Sequence, residues 1–212
     1  MAHDRVWVFD LDDTLHNASA HIFPHINRAM TQYLMTHLKL NEDDANRMRG
    51  DYWLRYGATL NGLMRHHGIN PHHFLHHTHQ FPQMSQMVVQ SRGLRSVLKR
   101  LPGEKIVYTN APMIYAEQVL RLLNIRDLFK GVFSIESSRF QPKPAMSGFV
   151  SMLKKMNVHA RRCIMVEDNL PALKTAKRLG MKTVYINPRS KRPSYVDVRL
   201  ASVMSLAAVK NL

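Results

Sequence analysis

The sequence predicts an α/β fold: a Rossmann-like parallel sheet core with helices on both faces and an inserted all-helical cap. Three observations point to it. Three short runs, Val6 to Phe9, Lys105 to Tyr108 and Cys163 to Val166, read as buried strands and end abruptly in polar or charged residues. From Gly93 onward helical and strand patterns alternate, as successive βαβ units require. Between the first strand and that alternation, about Ser19 to Gln90, no convincing strand occurs.

In chain order, the first strand runs into Asp10-Leu11-Asp12-Asp13-Thr14. Ile22, Ile26, Met30, Tyr33, Leu34 and His37 then recur near helical spacing, with Asn17 or Ser19 available as a start signal. Asn41-Glu42-Asp43-Asp44 reads as a second helix start, and Tyr52, Tyr56, Leu60 and Leu63 continue a 3.6-residue stripe until Gly68-Ile69-Asn70-Pro71 breaks it. These helices form the insertion, and its place directly after the Asp10 loop puts it over the crevice as a lid. Residues 1–16 and 91–212 are then the core and 17–90 the cap.

Beyond the insertion, a helix from about Arg92 to Arg100 leads to the strand that ends at Thr109-Asn110. A helix near Met113 to Leu123 precedes a strand around Val132 to Ile135, and another near Ala145 to Met156 precedes the strand that ends at Glu167-Asp168. Ala172 to Leu179, stopped by Gly180, leads to a strand at Thr183 to Ile186, and Leu200 to Val209 reads as a closing helix.

At 212 residues, 45% of them hydrophobic, the chain suits one domain with a modest insertion. No apolar run approaches the roughly 20 residues that span a bilayer, and Val6 to Phe9 is too short for a signal peptide or anchor. The single cysteine, Cys163, cannot form an internal disulfide and reads as a small buried hydrophobe. These features favour a cytoplasmic protein without membrane partners.

Charge is lopsided, with 30 Lys and Arg against 15 Asp and Glu and a formal net charge of +15. Such a field attracts anions, whether small phosphorylated molecules or nucleic acid. Five of the 15 acids, Asp10, Asp12, Asp13, Glu167 and Asp168, fall at two strand ends, whereas Tyr52 to Gly103 and Asn169 to Val196 contain none. Carboxylates crowded in this way repel one another unless a cation sits among them.

In an open parallel sheet, ligands bind beyond the carboxyl ends of the strands, so the three tips should converge. There, one of the carboxylates of Asp10 and Asp12 can attack phosphorus while its neighbour protonates the leaving oxygen and later takes a proton from water. Glu167 and Asp168 could help hold a cation, and Mg²⁺ suits an all-oxygen site. Thr109 and Asn110 can donate to phosphate oxygens, and Lys143 can neutralise charge that develops in the transition state. An isolated Asp-x-Asp often only caps a loop, but four such pieces in strand order favour a metal-assisted phosphatase.

Asp10-Leu11-Asp12-Asp13-Thr14-Leu15, Thr109-Asn110, Lys143 within Gln141-Pro142-Lys143-Pro144, and Glu167-Asp168 together resemble the four ordered motifs of the haloacid dehalogenase superfamily. The resemblance covers nearly the whole chain. It implies Asp10 as nucleophile, Asp12 as general acid and base, and Thr109 and Lys143 as phosphate binders. It also implies Mg²⁺ held by Asp10, the Asp12 main-chain carbonyl and Asp168, with Glu167 a direct or water-mediated partner. True dehalogenases lack an acid at the place of Asp12, which favours phosphate esters over carbon–halogen bonds. Ala172 stands where many relatives carry Asn or Gly, and implies local repacking only.

Within the superfamily, Thr36 to Leu40 and Asp51 to Leu63 resemble the cap of pyrimidine 5′-nucleotidases. That implies a small phosphorylated substrate, a nucleoside monophosphate such as UMP or CMP, with Tyr52, Trp53, Tyr56 and Asn61 available to its base. A phosphosugar or phosphoglycolate phosphatase, or a phosphosugar mutase, would carry the same motifs. From another class, the net charge would also suit a nucleic-acid or acidic-partner binding protein on this scaffold, but no recognised nucleic-acid motif occurs. His66, His67, His72, His73, His76, His77 and His79 cluster in the insertion and read as a solvated, partly packed face, adventitious metal binding or pH-sensitive motion being the other readings.

Overall fold

A computed structural model describes residues 5–209. Its strands are β1 (Val6–Phe9), β2 (Glu104–Tyr108), β3 (Gly131–Phe133), β4 (Cys163–Glu167), β5 (Lys182–Ile186) and β6 (Val198–Leu200). They form one six-stranded sheet in the order β3-β2-β1-β4-β5-β6, parallel throughout. The chain steps outward from β1 on one side and then, through β4, on the other. The strand order therefore reverses at β1, which is where a parallel sheet opens a crevice.

The alternation of side chains along a strand sorts the core into two layers. Val6 and Val8 join Ile106, Tyr108, Cys163 and Met165 in one buried cluster, completed by Phe149 and Met152 of a helix at Met146–Met156 and by Ala172, Leu173 and Ala176 of a helix at Leu170–Arg178. Trp7 and Phe9 point the other way. The Phe9 ring meets Phe129 edge-on at 5.9 Å, and the Trp7 indole N–H donates to the Pro102 carbonyl at 2.9 Å. Gly103, with φ of +92°, lets the chain turn tightly into β2, and a Cβ there would collide with the Arg5 carbonyl.

Residues up to Asn17, together with those from Val88 onward, make one compact unit, and Ala18–Met87 make a second. The second is helical: α1 (Ile22–Leu38), α2 (Glu42–Tyr56), α3 (Thr59–His67), α4 (Pro71–His79) and α5 (Met84–Met87). Its interior holds Ile22, Ile26, Leu34, Leu60, Leu63, Phe74 and Met84. Asn41 caps α2 by accepting from the Asp44 amide, Gly68 ends α3 in the left-handed region, and Asn70 with Pro71 starts α4. In the sheet-bearing unit the helices are α6 (Leu94–Arg100), α7 (Met113–Leu122), α8 (Met146–Met156) and α9 (Leu170–Arg178).

Four local expectations are corrected. The first helix starts at Ile22 after an N-cap at His21 that makes no side-chain cap, and not from Asn17 or Ser19, because Ala18–Ala20 form a short 3₁₀ turn of their own. The stripe from Tyr52 to Leu63 spans two helices, because Gly57 adopts φ of +76° and ends α2. The run around Val132 is a strand at Gly131–Phe133, one residue earlier and shorter than its pattern suggested. The closing segment is not an α-helix: Val198–Leu200 add an edge strand, and Val203–Ala208 wind as 3₁₀.

Candidate active site

At the C-terminal ends of β1 and β4 the backbone is tied together, the Asp10 amide donating to the Val166 carbonyl at 2.9 Å. Beyond it, Asp13 takes a left-handed conformation (φ 59°), which a short polar side chain tolerates, and the chain turns back. This presents Asp10 and Asp12 at one place. Ordinary strand geometry delivers Glu167 and Asp168 from β4 beside them.

Lys143 occupies the centre. Its ammonium, with only 4% of the side chain exposed, donates to Asp10 Oδ1 and Glu167 Oε2, each at 2.6 Å, and to the Tyr108 carbonyl at 3.0 Å. The Tyr108 ring lies 5.3 Å from the same ammonium. Asn110 clasps the lysine's main chain: the Lys143 amide donates to Asn110 Oδ1 at 2.7 Å, and Asn110 Nδ2 donates to the Lys143 carbonyl at 3.1 Å. The amide of Asn110 is therefore engaged in positioning Lys143. Thr109 is buried, and its Oγ1 accepts from the Ala111 amide at 3.0 Å, which leaves its own proton to donate.

The ammonium pairs with two carboxylates, and a third, that of Asp168, lies in the same cluster. Donor oxygens of Asp10, Glu167 and Asp168 lie within 4.8 Å of one another, the only such group of three or more potential metal ligands among the described residues. Burial, with Glu167 nearby, pushes the Asp10 carboxyl up to about 7 despite Lys143. Burial likewise raises Glu167 to about 7, and burial plus Asp10 raises Asp168 to about 6. Burial alone would lower the Lys143 ammonium, but Asp10 and Glu167 hold it well above its ordinary value. One lysine cannot compensate three acids, so the cluster is electrostatically unsatisfied near neutral pH.

Asp12 has separate partners. Its Oδ1 receives the Tyr115 hydroxyl at 2.6 Å and meets His16 Nε2 at 2.9 Å. Tyr115 and His16 are both buried, and burial beside Asp12 pushes the tyrosine hydroxyl well above its ordinary value, so it remains a donor. Neither residue was among the sequence candidates. His16 follows Asp12 by four positions and could have been noticed, whereas Tyr115 lies 103 residues away and carries no local signal.

Asn169 caps α9 by accepting from the Ala172 amide at 3.1 Å, and its own amide donates to Glu167 Oε1 at 3.1 Å. Ala172 is fully buried in the core. Within the helical unit, Tyr52 and Tyr56 pair their hydroxyls with His67 and His66 at 2.8 and 2.6 Å. Asn61 donates to the Tyr56 carbonyl, and Trp53 is 62% exposed. Tyr33 pairs with His73 at 2.7 Å, with the rings of His37 and His77 packed around it, so much of the histidine-rich face is held by aromatic and hydrogen-bonded neighbours.

By fold, the protein is a doubly wound parallel α/β protein with its polar groups gathered at one end of the sheet. A sequence profile of the haloacid dehalogenase-like hydrolases matches residues 7–186, and the chain belongs to that family. It is 22% identical over 195 residues to "Phosphate metabolism protein 8" of Saccharomyces cerevisiae, across 84% of this chain and 60% of that protein, so it spans about three-fifths of that relative's length. The crystal structure of a HAD phosphatase from Thermococcus onnurineus is similar with a TM-score of 0.70, 18% identity and 96% of both chains covered. So is the putative HAD-hydrolase YfnB from Bacillus subtilis, bound to magnesium, with a TM-score of 0.64, 15% identity, and 99% of this chain and 100% of that one covered. At such identities the structural likeness establishes the fold.

No helix among the described residues is long and apolar enough to cross a membrane.

Proposed function

We propose that this protein is a Mg²⁺-dependent phosphoric monoester hydrolase that works through an aspartyl phosphate and takes pyrimidine nucleoside 5′-monophosphates, UMP and CMP, as substrates in the cytoplasm. The observation that carries the phosphatase reading is a buried lysine paired with Asp10 and Glu167, with Asp168 in the same cluster of acids at the strand ends. Family membership, and similarity to proteins whose names refer to phosphatase activity and phosphate metabolism, support it.

The residues present fit Mg²⁺. Their donors are all oxygens, and burial together with mutual repulsion raises their carboxyl values, a repulsion that a divalent cation would relieve. Asp10, Asp168 and the main-chain carbonyl of Asp12 would hold the ion, with Glu167 direct or through water. Bound there, it would neutralise the repulsion between the carboxylates and the phosphate.

The chain's own groups carry the reaction. An Asp10 carboxylate oxygen bonds to phosphorus as the bond to the leaving oxygen breaks, and that oxygen keeps the electron pair and takes a proton from Asp12. Water then attacks the phosphorus of the aspartyl phosphate while Asp12 takes a proton from it, and the bond to Asp10 breaks. Thr109 donates to a phosphate oxygen and Lys143 balances negative charge there. Asn110 keeps the lysine in place through the clasp on its main chain.

The nucleotide part of the proposal rests on the resemblance of Asp51 to Leu63 to the nucleotidase cap. Within the helical unit the hydroxyls of Tyr52 and Tyr56 are taken by histidines, whereas the ring of Trp53 is exposed. A comparison of kcat/KM with Mg²⁺ for UMP, CMP, AMP, phosphoglycolate and a hexose phosphate tests it. UMP and CMP should lead and AMP should be poorer. If phosphoglycolate or the hexose phosphate clearly beats UMP, the nucleotide assignment fails while the phosphatase chemistry stands.

A further inference from the structure

We infer that Tyr115 and His16 are positioning residues that anchor Oδ1 of Asp12 and thereby make Oδ2 the oxygen that carries the proton to the leaving group. The inference rests on the phosphatase reading above and specifies its acid.

A carboxylate oxygen offers two lone pairs. Both lone pairs of Asp12 Oδ1 are claimed, by the Tyr115 hydroxyl at 2.6 Å and by His16 Nε2 at 2.9 Å. The phenol can only donate to a carboxylate, and the imidazole does so from its Nε2–H tautomer. Among the described residues, no protein donor meets Oδ2. A proton on Asp12 therefore has one place to sit, on the oxygen that neither anchor holds.

The anchors are themselves well fixed. Tyr115 is fully buried in the first turn of α7, whose leading amide, that of Met113, donates to both carboxylate oxygens of Glu136. His16 lies one turn beyond Asp12, where the Leu15 amide donates to the Leu11 carbonyl and Asp12 pairs with His16 through the backbone. The side chain of His16 has no exposure, against 14% for Asp12. Two buried rings thus hold one edge of a carboxyl group whose other edge is free to meet substrate.

In the first half reaction the Asp10–phosphorus bond forms, the phosphorus–oxygen bond to the leaving group breaks, and the departing oxygen takes the proton from Asp12 Oδ2. An alkoxide needs that proton. A 2,4-dinitrophenolate does not, because it is already a stable anion. A loss of acid alignment must therefore weigh on the alkyl ester and spare the activated one. The quantity to compare is kcat/KM, which reports ester cleavage, whereas kcat also includes hydrolysis of the phosphoenzyme after the leaving group has gone.

The test uses the full chain with Mg²⁺, a simple alkyl phosphate and 2,4-dinitrophenyl phosphate. In Tyr115→Phe the ratio of kcat/KM for the dinitrophenyl ester to that for the alkyl ester should rise about 10- to 100-fold, within the range that general acid catalysis supplies. His16→Gln, which keeps an N–H donor, should shift the ratio less than His16→Ala. If Tyr115→Phe does not fold, this histidine pair decides. An unchanged ratio, whether both esters slow together or neither does, overturns the proposal. Should the unaltered protein hydrolyse neither ester, the phosphatase reading has failed first, a result distinct from an unchanged ratio.

Discussion

Replacing Lys143 by Met removes the one ammonium that lies between Asp10 and Glu167 and leaves a side chain of similar length in the same buried space. Three hydrogen bonds disappear, at 2.6, 2.6 and 3.0 Å. At pH 8 without metal, the two buried acids must then either stay ionised with no countercharge or take up protons that the unfolded chain would not hold. Breaking a buried ion pair in this manner costs about 3–5 kcal/mol. At roughly 2–4 °C per kcal/mol for a chain of this size, the melting temperature should fall by about 6–20 °C. The penalty depends on pH in a definite direction. Asp10 and Glu167 have folded values of about 7, above their ordinary 3.8 and 4.5, so the stability they contribute is complete below those ordinary values and is lost as pH rises through 7. Without the lysine their folded values climb further, and the loss at pH 8 is larger. At pH 5 both carboxyls of the variant are neutral, and the difference from the unaltered protein should shrink to that of a lost hydrogen bond or two, about 1–2 kcal/mol. Thermal unfolding followed by circular dichroism in EDTA, with variant and unaltered protein compared at each pH, reads this directly because titrating groups away from the cluster cancel. A penalty equal at pH 5 and pH 8, or a negligible one at pH 8, would refute the reasoning.

Asp10→Asn should retain the fold and lower turnover of an aryl phosphate by about a thousandfold or more, since no other residue can form the phosphoenzyme; a rate near that of the unaltered protein would sink the covalent mechanism. EDTA should abolish activity and Mg²⁺ restore it, with Ca²⁺ a poor substitute because its looser, higher coordination misplaces the nucleophile. Full turnover in excess chelator is the contrary result.

The strands that carry the candidate site were legible because burial on both faces of a parallel sheet demands continuous apolar runs, and those runs stop where polar chemistry begins. Val6–Phe9 is such a run, and its end at Asp10 is sharp. The cap at Asn41 was legible for the same local reason, since its side chain satisfies an amide only three residues away, whereas Asn70 read only as part of a break although it caps α4. The edge strand Val198–Leu200 was not. It is only half-buried, carries Arg199 at its centre, and is recruited by its pairing with β5 rather than by its own pattern.

At the candidate site, the sequence by itself determined the kinds of groups present and their order: acids at the ends of β1 and β4, a hydroxyl at the end of β2, and a lysine between motifs. Tertiary structure alone decided how charge is shared among them. Lys143 is 133 residues from Asp10 and 24 from Glu167, yet it touches both at 2.6 Å, while Asn110 reaches 33 residues along the chain to hold the lysine's backbone. Tyr115 chooses which oxygen of Asp12 is anchored from 103 residues away. A local pattern records whether a residue prefers water or the interior and which turn it favours. The pairing of two buried charges depends on distances of a few ångströms between strands far apart in the chain, and only the packed sheet sets those distances.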